Sequence, residues 1–426
     1  DVPGGCPCRV TSLPVVRPGL PGRSSAGAFA MTMIGFPPEI ADRWSLTNWQ
    51  NAPYNRWSFQ HMREVVPTAR VGRGTDAARP LQFAPGFDEQ QIVWRLDGTS
   101  STVAEVIADT YTDGFLVMHH GRVVLEQYPY GTSPDHAHMM MSVSKSVVGC
   151  VVGILADQGV IDPAAPVHRY IPELAKSGYR GATVRDVLDM RSGVTFSEEY
   201  LNDDAEVRLL EQVIGWAPRT HPGLPSSMYD YLATLSASRA HGIAFDYRSC
   251  ETDILGWVCE RASGVRMADL LSLLIWSRIG AEQDMDAAVD PAGAVFHDGG
   301  LAATLRDLGR FGQLLLDGGR LNGNQVVPAW WIADAYAGAP DSREVFAASG
   351  NDTWMPGGMY RNQFWLPYQG RDVLLCLGIH GQLIWVEPAR HLVVVKLSSW
   401  PHPQMVAKLL DTFAAIDMIG FQLSLG

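Results

Sequence analysis

From Val147 to Ala156 the chain offers no charged or hydrogen-bonding side chain except Cys150. A run apolar on every side reads as a helix buried all round rather than one lying on a surface. Helical spacing of apolar positions recurs at Ile254 to Cys259, Thr304 to Asp317, Pro328 to Ala337 and Met405 to Ile416. Thr183 to Met190 opens with Thr-x-x-Asp, a capping pattern for another helix. Strand signals fall in two places far apart in the chain. Gly114 to Met118 and Arg122 to Glu126 form one predicted pair around His119 to Gly121. Val373 to Gly378, Leu383 to Glu387 and Leu392 to Lys396 form a second group, the last two joined by a turn at Pro388 to Arg390.

The two groups are expected to share one antiparallel sheet. That makes the chain an α/β protein, a sheet flanked by helices with a mostly helical part inserted between its halves. The expected boundaries are a discontinuous α/β domain at 46–140 and 291–426 and a mostly helical domain at 141–290. Residues 1–45 have another texture. Pro and Gly recur there, with Arg9, Arg17 and Arg23, but there is no apolar core of a secretory signal. This stretch reads as a flexible arm, or as residues upstream of a start at Met31 or Met33.

Composition narrows the function classes. A content of 46% hydrophobic and 18% charged residues is that of a globular protein with a large core. The net charge of -12 argues against nucleic acid or an anionic membrane as partner. No apolar run reaches the roughly 18 residues of a membrane span. Cys150, Cys250, Cys259 and Cys376 lie in apolar segments, and Cys6-Pro7-Cys8 lacks metal or redox spacing, so a reducing cytoplasm is expected. The histidines show no His-Glu-x-x-His and the serines no Gly-x-Ser-x-Gly, so neither a metal nor a cofactor is expected.

The candidate chemistry stands at the head of the apolar helix. In Ser142-Val143-Ser144-Lys145 a hydroxyl and an ammonium project from one helical face, three residues apart. Lys145 can serve as base if apolar surroundings lower its pKa towards neutrality. The alternative for Ser142 is a plain N-cap. In Phe245-Asp246-Tyr247-Arg248-Ser249-Cys250 a short turn aims Tyr247 and Ser249 the same way, and a phenol can relay protons. Gly378 and Gly381 would let a substrate approach the strand backbone.

These segments, in this order, resemble the penicillin-recognising serine hydrolases: class C β-lactamases, DD-peptidases and their esterase relatives. More closely, the chain resembles the 6-aminohexanoate-dimer hydrolase branch. The matching stretches are Met141 to Ser146, Asp162-Pro163 with Tyr170 to Leu174, Gly299-Gly300 with Arg306 to Leu308, Gly378 to Gln382, and Lys396 to Pro401. The resemblance implies a β-lactamase/transpeptidase-like fold. It makes Ser142 the acylated nucleophile, Lys145 its base and Tyr247 the proton relay, with the NH groups of Ser142 and Ile379 as oxyanion hole. Tyr200, Trp216, Ser249 and His380 match substrate-binding positions. Glu211 and Asp298 would favour a cationic substrate end. The strand triplet Cys376-Leu377-Gly378 departs from Lys-Thr-Gly, so the cation that would greet a β-lactam carboxylate is missing. The implied partner is a small-molecule amide or ester such as 6-aminohexanoate dimer, and the implied assembly a homodimer.

Overall fold

The strand from Leu392 to Ser398 is buried at every position, so its sequence Leu-Val-Val-Val-Lys-Leu-Ser shows no alternation and must have both faces covered. In the computed structural model, which describes residues 32–425, it lies inside an eight-stranded sheet. In chain order the strands are β1 (Gln82–Phe83), β2 (Thr112–His119), β3 (Arg122–Gln127), β4 (Met359–Arg361), β5 (Phe364–Leu366), β6 (Leu374–Gly378), β7 (Gln382–Glu387) and β8 (Leu392–Ser398). The spatial order is β4-β5-β6-β7-β8-β2-β3-β1. The two distant strand groups therefore meet, with β8 antiparallel to β2 from Leu392↔His119 to Ser398↔Thr112. Only β1 pairs in parallel, along β3.

Helices cover both faces. The helix Leu305–Leu316 packs on one side, where Phe311 and Leu308 join Leu116, Ile384, Val393 and Val395 in one apolar core. The helix Val406–Leu423 covers the other, where Phe413 and Ile416 meet Val117, Leu383, Trp385 and Val394. Its span is longer than the sequence pattern of 405–416 because the last turns stay helical on a less regular stripe.

The apolar run becomes the helix α1 (Val143–Asp157), buried from Val143 to Leu155. The segment 141–290 is rich in helices, among them α2 (Cys250–Ser263), which packs on α1. Thr183 and Asp186 form the reciprocal cap read from the sequence.

A second sheet was not legible in the pattern. Its strands Thr68–Val71, Met285–Ala288, Leu301–Ala303 and His138–Met139 are two to four residues long, too short to show a period. It has a positional role. Met140 N donates to Leu301 O at 2.9 Å and Leu301 N to Ser144 Oγ at 3.2 Å, which ties the start of α1 to the loop carrying Asp298. The expected N-terminal arm falls outside the described residues up to residue 31; residues 40–42 form a short 3-10 turn.

Candidate active site

Ser142 stands at the N-cap position of α1. Ser142 makes no side-chain cap to its helix. Its Oγ instead accepts a hydrogen bond from Lys145 Nζ at 2.8 Å. The preceding residue, Met141, holds a left-handed φ of 48°, which turns the chain sharply into the helix. The NH groups of Val143, Ser144 and Lys145 donate to the carbonyls of Met140, Met141 and Ser142, at 3.2, 3.0 and 3.1 Å.

Lys145 is almost wholly buried and its remaining hydrogens are also used. Nζ donates to Ser249 Oγ at 3.1 Å and to the Asp298 carbonyl at 2.9 Å, with Asp298 Oδ1 at 3.7 Å. It also sits 5.3 Å from the centre of the Tyr247 ring. The Tyr247 hydroxyl interacts with both Ser142 and Lys145. Ser142, Lys145 and Tyr247 are thus brought together, and Ser249 and Asp298, implied as substrate-binding, are engaged by Lys145 instead.

The protonation of Lys145 differs from the sequence expectation. Burial does press its pKa down, but Asp298 first, then Tyr247, Glu198 and Asp253, hold the ammonium more strongly, and the net direction is upward. The surroundings of α1 are apolar along its length but acidic at its mouth. Burial raises the Tyr247 phenol, against the pull of Lys145. The site therefore rests as an ammonium beside a neutral phenol.

Two acids absent from the sequence reading shape this electrostatics. Asp253, on α2, accepts the NH groups of His297 and Asp298 at 3.0 and 3.2 Å. Its side chain is also hydrogen-bonded to that of Asp298, and burial followed by the Asp298 charge pushes its pKa far up. Asp253 thus keeps a proton that it donates to Asp298. Glu198 accepts from the backbone NH of Ser249, from Ser249 Oγ at 3.2 Å and from the Tyr200 hydroxyl. Glu198 lies in an irregular stretch, so its only signal was an acidic pair beside Tyr200. Asp253 sits on a helix at a position where a carboxylate ordinarily faces solvent.

Ser142 opens into a cavity of about 320 Å³ whose wall includes Glu198, Tyr200, Tyr247, Gly378, Ile379, Trp354, Trp365 and Trp400. Gly378 explains how β6 reaches the nucleophile. A Cβ there would stand 2.7 Å from Met140 O and 3.0 Å from Ser142 N, so only glycine lets the strand come this close. The NH groups after Gly378 and at Ser142 are thereby brought to one rim. A larger hollow of about 530 Å³ between Gly74 and Val326 holds no paired nucleophile and base.

Of the six residues implied as substrate-binding only Tyr200 belongs to this wall; Ser249 and Asp298 lie behind it on Lys145, and Glu211, Trp216 and His380 stand elsewhere. Glu211 is buried in an ion pair with Arg208 and accepts from Gln50 Nε2 at 3.2 Å; burial pushes its pKa up to about 7. Trp216 packs edge-on against Trp49 and Phe296, at 5.1 and 4.7 Å. His380 turns away, its Nδ1 donating to Trp400 O at 2.7 Å, and burial lowers its pKa to about 4. Among the described residues no group of three His, Cys, Asp or Glu is placed to hold a metal, and no helix is long and apolar enough to cross a membrane.

A sequence profile of the beta-lactamase family matches residues 101–417. The chain belongs to this family of serine hydrolases. It is 39% identical over 394 residues to the 6-aminohexanoate-dimer hydrolase of Paenarthrobacter ureafaciens, covering 90% of this chain and 97% of that one. A solved structure from Bacillus anthracis, named for the same hydrolase, superposes with a TM-score of 0.81 at 27% identity, covering 89% of this chain and 97% of that one. A family VIII carboxylesterase shares the fold at a TM-score of 0.55 and 18% identity, over 74% of this chain and 96% of that one. The hydrolase and its relatives thus share a β-lactamase/transpeptidase-like architecture, sheets flanked by helices.

Proposed function

We propose that this hydrolase cleaves linear amides such as 6-aminohexanoate dimer, and short-chain carboxylic esters, through an acyl-enzyme on Ser142. The observation that carries the reading is the 2.8 Å contact of Lys145 Nζ with Ser142 Oγ at the floor of a cavity walled by Tyr247 and Ile379. Ser142 Oγ attacks the acyl carbonyl while its proton passes to the Lys145–Tyr247 pair. The pair must first lose one proton, and whether that leaves a neutral amine or a phenolate, the proton count is the same. The NH groups of Ser142 and Ile379 hold the tetrahedral oxygen, each donor worth about 3 kcal/mol. Tyr247 returns the proton to the leaving group, and water, activated by the same pair, releases the acid. The active cleft is read as lying between the α/β part and the inserted helical part, where ligand sites commonly form.

One observation favours carboxylesterase action without useful amidase activity as the second reading. The cavity wall is largely aromatic and aliphatic, while Glu211, the acid aligned with the amino end of the substrate, is paired with Arg208 outside it. Penicillin-type chemistry is disfavoured, since Cys376-Leu377-Gly378 supplies no strand cation. Among the described residues Cys150, Cys250, Cys259 and Cys376 are buried free thiols, which fits a reducing cytoplasm. A homodimer is part of the same reading, and sedimentation equilibrium tests it.

Product analysis with linear ω-amino acid dimers and p-nitrophenyl esters decides between the readings. Release of 6-aminohexanoate supports the first, ester turnover alone the second, and nitrocefin turnover with neither refutes both.

A further inference from the structure

Lys396 has no place in the chemistry above, and its position is unusual. It lies on β8 opposite Leu383 and Phe115, on the sheet face that holds Trp385, Val394 and Phe413, and is 1% exposed. A lysine there costs stability that an apolar side chain would not. Its Nζ has neutral partners. It donates to Thr110 O at 3.0 Å and to Ser398 Oγ. The neighbouring carboxylate, Asp113, is engaged by Arg56 at 3.1 Å and His138 at 3.2 Å. Burial accordingly lowers the Lys396 pKa to about 7.

Two arms lead from this amine to the turn that carries Ile379. In the first, Ser398 and Gln382 clamp each other: Ser398 N donates to Gln382 Oε1 at 3.0 Å, and Gln382 Nε2 donates to Ser398 O at 2.6 Å and to His380 O at 3.3 Å. The second arm is Trp400, a wall of the cavity. Its Nε1 donates at 2.8 Å to the same Thr110 carbonyl that Lys396 uses, and its NH donates to His380 O at 3.2 Å. Its indole also leaves no room at Gly381, where a Cβ would stand 2.4 Å from the ring. The turn Ile379–Gly381 is gripped from both sides; one grip ends at Ser398, whose Oγ accepts from Lys396, and the other at the Thr110 carbonyl that Lys396 shares.

We propose that Lys396 is a positioning residue, which aims the Ile379 amide at the developing oxyanion through the Ser398–Gln382 clamp and the Trp400 wall. This inference rests on the serine-hydrolase reading. A donor that stabilises only the tetrahedral state acts on kcat, and small misplacements of such groups cost about 10- to 100-fold.

The test compares wild type, Lys396→Met, Ser398→Ala and the double variant on p-nitrophenyl acetate, with melting temperature as a control. The expected result for Lys396→Met is a kcat lower by about 10- to 100-fold with KM within about twofold and no fall in melting temperature. Ser398→Ala should lower kcat in the same sense. The double variant should be no worse than Lys396→Met alone, because both changes cut the same hydrogen bond that ties Lys396 to the Ser398–Gln382 clamp. Folded Lys396→Met with kcat within about twofold of wild type overturns the proposal. If Lys396→Met does not fold, unchanged kcat in Ser398→Ala overturns it equally. The rate at which a fluorophosphonate labels Ser142 is a second readout, since its phosphoryl oxygen occupies the same hole. Variants that match an active wild type refute this inference alone. A wild type with neither turnover nor labelling refutes the serine-hydrolase reading and this inference with it.

Discussion

Replacing Asp298 by Asn should move the alkaline rise of activity to lower pH, and the size of the move follows from the contact. Asp298 Oδ1 lies 3.7 Å from Lys145 Nζ. At an effective dielectric constant near 20 a full charge at that distance holds the ammonium by ~4.5 kcal/mol, or about three pKa units. The single substitution does not release all of it. Asp253 donates its proton to Asp298, so the buried pair carries one negative charge, and Asp298→Asn lets Asp253 ionise in its place. The charge is kept but moved away from Nζ, which leaves a fall of about one unit. Removing both acids removes the charge and should lower the pKa by about two to three units. Asp253→Asn alone fixes the whole charge on Asp298 and should move the limb upward or leave it in place.

The sign works through the base form. With the Lys145 pKa raised, the pair is largely protonated at neutral pH, and kcat/KM should rise about tenfold per pH unit below the limb. Lowering the pKa by one unit then gives a parallel profile about tenfold higher. An uncharged ester keeps substrate charge out of the comparison, and fluorophosphonate labelling from pH 6 to 10 (about the stable range of such reagents) extends it. An unmoved profile in the double variant would refute Lys145 as the titrating base. A rise in Asp253→Asn as large as that in Asp298→Asn would instead refute the placing of the pair's charge on Asp298.

Other consequences follow from the same geometry. Ser142→Ala should keep the fold and lose almost all turnover, with peptide mass spectrometry placing the fluorophosphonate label on Ser142; Ser144→Ala and Ser146→Ala should be mild. Lys145→Arg should be nearly inactive, because a guanidinium does not deprotonate in a protein. Glu211→Gln should weaken kcat/KM for an amide with a free terminal ammonium by about 1.5 to 3 kcal/mol and leave esters unchanged if Glu211 reaches the substrate. Equal losses on both substrates, or none, would remove it from recognition and favour the esterase. For Lys396 the folded pKa of about 7 lies below the ordinary 10.5, so the unfolded chain binds more protons between those values. Stability should rise with pH across that window and be lowest below it. Lys396→Met should flatten this dependence and raise stability at pH 7 by on the order of 4 kcal/mol, read from unfolding at pH 7 and 9.5.

The residues that could be read from sequence share one property: their chemistry sits inside a strong local pattern. Ser142 and Lys145 head an apolar helix, and Gly378 to Gln382 lie between two apolar strands. The helices at 305–316 and 329–337 and the central strands were legible for the same reason, since each carries enough apolar residues to show a period. The four short strands of the small sheet carry too few, and their pairing depends on contacts across as many as 220 residues of sequence. Glu198 and Asp253 escaped for a different reason. A carboxylate on a loop or helix reads as solvated unless its burial is known, and burial is set by the meeting of segments, not by its neighbours in sequence.

The same difference governs the sign of the Lys145 shift. The apolar face of α1 was visible, and desolvation alone would lower the pKa as expected. The acids that reverse it come from three other segments: Glu198 from a loop, and Asp298, from the turn before Leu301, in a pair with Asp253 of α2 that shares one negative charge. Their convergence turns the buried lysine from a ready base into a held ammonium, which stabilises negative charge on Ser142 and Tyr247 as the proton leaves. The site is thus arranged to favour the charged state reached during attack over the resting state. Withdrawing the negative charge that the Asp253–Asp298 pair shares should make the base more available at neutral pH while weakening that stabilisation. The Asp253→Asn and Asp298→Asn double variant therefore joins two opposed effects: its limb lies lower, and its plateau above the limb should fall below that of the wild type. A plateau that rises as the limb falls would mean that the acids serve only to hold Lys145 in place.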